Sequence, residues 1–107
     1  MKQVTIFQIN VNNNEQNAMR LFSSLSMLKR MGMSFDSSVY KVVYEGTMDV
    51  EDFEDVYMRL QWTKPNGYKG HSLSVSDIVL MDGKYMFCDS LGFVDVSDKF
   101  WNVSRET

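Results

Sequence analysis

Apolar and polar positions along this chain switch between a period of two residues and a period near 3.6. Residues 2–9, KQVTIFQI, alternate Val4, Ile6 and Gln8 with Thr5, Phe7 and Ile9, and β-branched side chains are dense. That pattern predicts a strand, with apolar groups on both faces, so central in a sheet or covered by a helix. The asparagine run at 10–14 interrupts it, and Asn13 or Asn14 can cap a helix with Glu15 at its positive end. Ala18, Leu21, Phe22, Leu25 and Leu28 then recur at helical spacing as one stripe. Lys29 and Arg30 suit the helix C-terminus, and Gly32 can terminate it in a left-handed conformation.

The period returns to two at residues 38–45, SVYKVVYE, a second strand expected to end at Gly46. Asp49 is the expected cap of a second helix, with Glu51 and Asp52 in its first turn and Phe53, Val56, Tyr57 and Leu60 as its apolar stripe. A loop follows, WTKPNGYKG at 62–70, with the single proline and two glycines. Asp77 to Met81 and Lys84 to Asp89 read as two strands joined by Asp82-Gly83, which favours a type I′ hairpin. Gly92 breaks the run, Phe93 to Val96 form a further short strand, and Ser97 caps a last turn through Phe100 and Trp101. The tail NVSRET is expected to be loose. The sum is an α+β fold: a mostly antiparallel sheet of four or five strands with two main helices packed on it.

Size and composition narrow the class. At 107 residues, 44% hydrophobic and 23% charged, the chain fits one folded domain, residues 1–107, without repeats or an internal boundary. A lone cysteine makes no internal disulfide, and the opening MKQVTIFQINVNNN does not build a signal-peptide core. No apolar run reaches membrane-spanning length. The expectation is a cytoplasmic protein with no membrane partner. The net charge of −3 hides an asymmetry: residues 45–58 hold six acids and no lysine or arginine. Without a basic stripe, direct nucleic-acid binding is not expected.

Two residues invite a chemical reading. His71 and Cys88, the only ones of their kinds, sit within GHSLSVSDIVLMDGKYMFCDS at 70–90 together with Asp77, Asp82 and Asp89. A cysteine hydrolase would use Cys88 as nucleophile and His71 as base. Yet Cys88 falls mid-strand beside Tyr85, Met86 and Phe87, the setting of a core thiol and not of an activated one. One histidine and one cysteine are too few for a metal site, and no nucleophile-elbow pattern surrounds Ser72 or Ser74. No catalytic residue, metal or cofactor is expected. Instead, Ser74, Ser76 and Asp77 can bond nearby amides where the chain enters the hairpin, Asp89 and Ser90 where it leaves, and His71 can lock the preceding loop.

The same stretch and its continuation, GHSLSVSDIVLMDGKYMFCDSLGFVDV, resemble the YodL-like domain. The likeness rests on GHSLSVSDIV, a short hairpin, then CDSLGF with an aromatic near the end; VYEG at 43–46 before an acidic amphipathic helix also matches the layout. Cys88 stands where that pattern leads one to expect valine, which argues against a cysteine nucleophile common to the family. The resemblance implies a small cytoplasmic domain found in Firmicutes and in their phages and conjugative elements, with no established catalytic residues. Proteins of this size from such elements often disable a host factor, and CRISPR effector nucleases are one target class.

A binding surface is therefore sought among exposed acids and aromatics. Asp49, Glu51, Asp52, Glu54 and Asp55 would form an electrostatic lure for a host protein or nucleoprotein with a basic surface, or else a solvated helix face. Trp62 and Tyr68 are the candidate aromatic anchors, and Trp101 reads as core. Three functions result: an inhibitor of a host protein carried by a phage or mobile element, a chromosomal regulator binding a cytoskeletal or developmental host protein, or a small cysteine hydrolase. Oligomeric state is left open, since the sheet edges could pair two copies.

Overall fold

The computed structural model describes residues 1–100. Trp101 and the NVSRET tail lie outside the described residues. Five strands, β1 (Lys2–Ile9), β2 (Tyr40–Met48), β3 (Ile78–Met81), β4 (Lys84–Asp89) and β5 (Gly92–Asp95), form one antiparallel sheet in the order β2-β1-β3-β4-β5. Three helices accompany them: α1 (Glu15–Arg20), α2 (Leu25–Arg30) and α3 (Phe53–Trp62). The architecture is α+β.

Strand β1 lies inside the sheet, bonded to β2 on one side and β3 on the other, and both its faces are covered. That is why its sequence lacks a polar face. On one face Val4, Ile6, Val79 and Met81 pack with Val56 and Leu60 of α3. On the other, Phe7, Ile9, Ile78 and Phe87 pack with Tyr40, Leu21, Leu25 and Phe100. Burial of Val56 and Leu60 at helical spacing holds α3 to the sheet, each contributing about 1.5–3 kcal/mol.

Several boundaries differ from the sequence reading, each for a visible reason. The single helix expected from Ala18 onward is two short ones, because the chain turns at Leu21 and Phe22 and Phe22 takes a positive φ of 66°. Asn14 caps α1 through Asn17 N–H, and Ser24 caps α2 through Met27 N–H. Gly32, at φ 74°, does end the second: its N–H donates to the Lys29 carbonyl and the Met33 N–H to that of Leu28. Gly46 does not end β2. A Cβ there would meet the Tyr44 hydroxyl at 2.6 Å, so glycine lets that ring lie along the strand, which runs on to Met48. Asp52, not Asp49, caps α3, accepting the Asp55 N–H at 2.8 Å. The Asp55 carboxylate reaches back to the Glu51 N–H at 3.0 Å, completing a reciprocal cap.

At the hairpin, Asp82 and Gly83 have φ values of 55° and 76°, the pair of positive angles a type I′ turn needs. Asp77 lies just before β3, and Gly92 opens β5 after the two-residue turn Ser90-Leu91 instead of breaking the sheet. Ser97 does not cap the last turn; its Oγ accepts the Tyr85 N–H at 2.9 Å.

Candidate functional site

Helix α3 presents a second face to solvent. Met58 and Trp62 are one turn apart on it and project outward, Trp62 with 83% of its surface exposed. They form one wall of an open groove of about 510 Å³ against the end of β2, where Thr47, Met48 and Asp49 form the other. Asp55 and Arg59 stand at its rim, joined by a loose ion pair of 3.8 Å between partly exposed groups. Such a pair is worth little in water, and among the described residues Asp49 makes no ion pair.

The structure thus brings Asp49, Asp55 and Trp62 together and separates them from the other four candidates. Glu51 lines a shallow cavity beside Lys2 and Asp82. Asp52 is committed to capping α3. Glu54 points to the opposite flank of the helix, where it lines a pocket of about 310 Å³ with Met58, Phe93, Cys88 and Asp89. Tyr68 is turned inward: its ring stacks on Tyr44 at 5.9 Å and its hydroxyl donates to the His71 carbonyl at 2.9 Å. Trp62 is the last residue of α3, not part of the loop, because the Thr63 N–H still bonds the Arg59 carbonyl and Gln61 is tied to the Leu73 carbonyl.

The residues that looked catalytic are organised around a buried polar hub. Gln8, on the inward face of β1, donates through Nε2 to the His71 carbonyl at 2.8 Å and to Asp77 Oδ2 at 3.0 Å, and accepts the His71 N–H on Oε1. Asp77 Oδ2 also accepts the Ser74 N–H at 2.8 Å. The Cβ of an alanine at position 70 would run into the Gln8 amide, so Gly70 is what lets the loop close over the hub. Burial pushes the Asp77 carboxyl up to about 8, against the two donors that favour its charge. His71 Nδ1 lies 2.7 Å from the Ser72 carbonyl, so that nitrogen carries the proton, and the ring stands edge-on to Phe22. The tie of His71 to the sheet is made by its backbone N–H and carbonyl, both bonded to the Gln8 amide, and not by its ring, which bonds the adjacent Ser72 carbonyl.

This hub is poorly suited to thiol chemistry. Cys88 is buried, and desolvation, with the charges of Asp77 and Asp89 behind it, raises its thiol to about 12. Activation requires the opposite shift and an electropositive setting. The walls beside it are Tyr57, Met58, Val75 and Phe93 with two carboxylates. Among the described residues no three His, Cys, Asp or Glu side chains converge as metal ligands, and no helix is long and apolar enough to cross a membrane.

Gln8, Ser76 and Asp89 are the structural residues that sequence reading underused. Gln8 carried a signal, as a polar residue in phase with Val4 and Ile6 on an apolar strand. Ser76 Oγ and Asp89 Oδ1 accept the N–H groups of Phe22 and Leu25, partners far away in sequence with no local signature.

Ser76, Asp77 and Asp89, which flank the hairpin, each secure a separate part of the fold. The model of the YodL-like domain matches residues 3–100. The chain belongs to that family. No curated protein and no solved structure matches it. In this YodL-like domain Ser76, Asp77 and Asp89 hold hydrogen bonds that secure the fold, and the exposed groove lies on elements upstream of them.

Proposed function

We propose that this YodL-like domain is a non-enzymatic binding module that docks a host protein on the outer face of α3 and inhibits it. The observation that carries the reading is Trp62, nearly fully exposed on a helix that is otherwise anchored, beside a groove holding Asp49 and Asp55. Trp62 is little buried by the fold, and tryptophan beside acidic groups has the composition of an interface anchor for a basic partner. The partner surface this fits is basic, with a lysine or arginine side chain laid over the indole and its charged end near Asp49. The nucleic-acid channel of an effector nuclease has that character, and the phage and mobile-element setting that the resemblance implies would favour such a target over a chromosomal one.

Immobilised protein tested against a lysate of the bacterium that carries the gene decides the matter. Trp62→Ala and Asp49→Lys should each abolish retention of a partner that the unaltered protein holds, and added salt should weaken that retention steeply. Equal retention by both variants would remove the groove from consideration.

A further inference from the structure

Residues 15–30 carry one helical stripe and contain neither proline nor glycine, yet the helix is broken between Arg20 and Leu25. Ser24 caps the second half locally, and two further bonds hold the break from outside. Phe22 N–H donates to Ser76 Oγ at 3.0 Å and Leu25 N–H donates to Asp89 Oδ1 at 3.1 Å. In a continuous helix these donors would pair with the Ala18 and Leu21 carbonyls. The Ser23 hydroxyl takes the Met19 carbonyl that a straight helix would give to the Ser23 N–H. The bond from Phe22 to Ser76 also joins two residues in left-handed backbone, at φ 66° and 88°, a region that bulky L side chains rarely occupy. Phe22 is 56% exposed, although its place in the stripe would set it with Leu21 and Leu25, which pack against the sheet.

We infer that residues 15–30 are a two-state element, broken while Ser76 and Asp89 hold Phe22 and Leu25, and one continuous helix once those two acceptors let go. Straightening returns Phe22 to the apolar stripe and ends its left-handed strain. The signature thereby acts as a latch. The latch does not depend on the docking reading; it stands whether or not Trp62 contacts a partner.

Backbone chemical shifts of residues 21–24 in the full chain report the state directly. In a Ser76→Ala/Asp89→Ala variant they should move to helical values. Phe22→Ala and Phe22→Gly keep both acceptors and change only the local preference, since alanine favours helix and glycine the left-handed break. The helical character of 21–24 should rise in the order glycine, phenylalanine, alanine. The inference is overturned if residues 21–24 stay non-helical in the folded double variant. Should that variant fail to fold, identical shifts in the alanine and glycine variants overturn it equally.

Discussion

Replacing Asp77 with asparagine should abolish most of the pH dependence of stability between pH 5 and 8. The folded carboxyl titrates near 8 against an ordinary value of 3.8. Between those values the native protein keeps a proton that the unfolded chain has released. Stability therefore falls as pH rises through the window, is greatest below the unfolded value, and levels off above about pH 8. The slope is at most about 1.4 kcal/mol per pH unit, so the interval from pH 5 to 7 removes up to about 2.7 kcal/mol. That is a large share of the roughly 5–15 kcal/mol expected of a domain this size. Asp36 and Asp95 are held below the usual carboxylate range by bonds from Ser38 and Ser97, so their contributions change only at lower pH. An asparagine oxygen at the Oδ2 position still accepts the Ser74 N–H and the Gln8 amide, so the fold survives without the titration. Urea midpoints at pH 5, 6, 7 and 8 for both proteins are the assay. Parallel lines for the two, or a wild-type stability that rises across the window, would refute the buried-carboxyl argument.

The remaining expectations concern the helix, the thiol and the exposed indole. Asp52→Ala removes the α3 cap and should cost about 1 kcal/mol by chemical denaturation, while Trp62→Ala should change stability by less than about 0.5 kcal/mol. Cys88 should resist alkylation by iodoacetamide at pH 8 in the native protein and react promptly in denaturant; fast native labelling would contradict its burial.

The strands were legible from short runs dense in β-branched and aromatic residues between turn signals, although β1 and β3 are apolar on both faces, and the hairpin because Asp82-Gly83 has few other uses. Helix α3 was legible from Phe53, Val56, Tyr57 and Leu60. Its start was misplaced because Asp49 and Asp52 both have capping chemistry, and only the backbone geometry selects between them. The break at Phe22 was only half legible: the serines at 23, 24 and 26 weaken a helix and Ser24 caps α2, but Ser76 and Asp89, which hold Phe22 and Leu25, lie more than fifty residues away. The acidic run overstated a single charged face. Folding spreads it over a groove, a cap and two further cavities, and only Asp49 and Asp55 remain beside Trp62. Tyr68 and Trp62 looked equivalent in sequence, and packing against Tyr44 separated them.

Cross-linking from defined positions tests the docking face most directly. A photo-reactive phenylalanine derivative placed at Trp62, or at Val94 on the opposite face of the sheet, would be irradiated in the host cell. A partner adduct formed from position 62 and absent from position 94 is the expected result. An adduct from position 94 with none from position 62 would contradict the assignment of α3 as the binding surface.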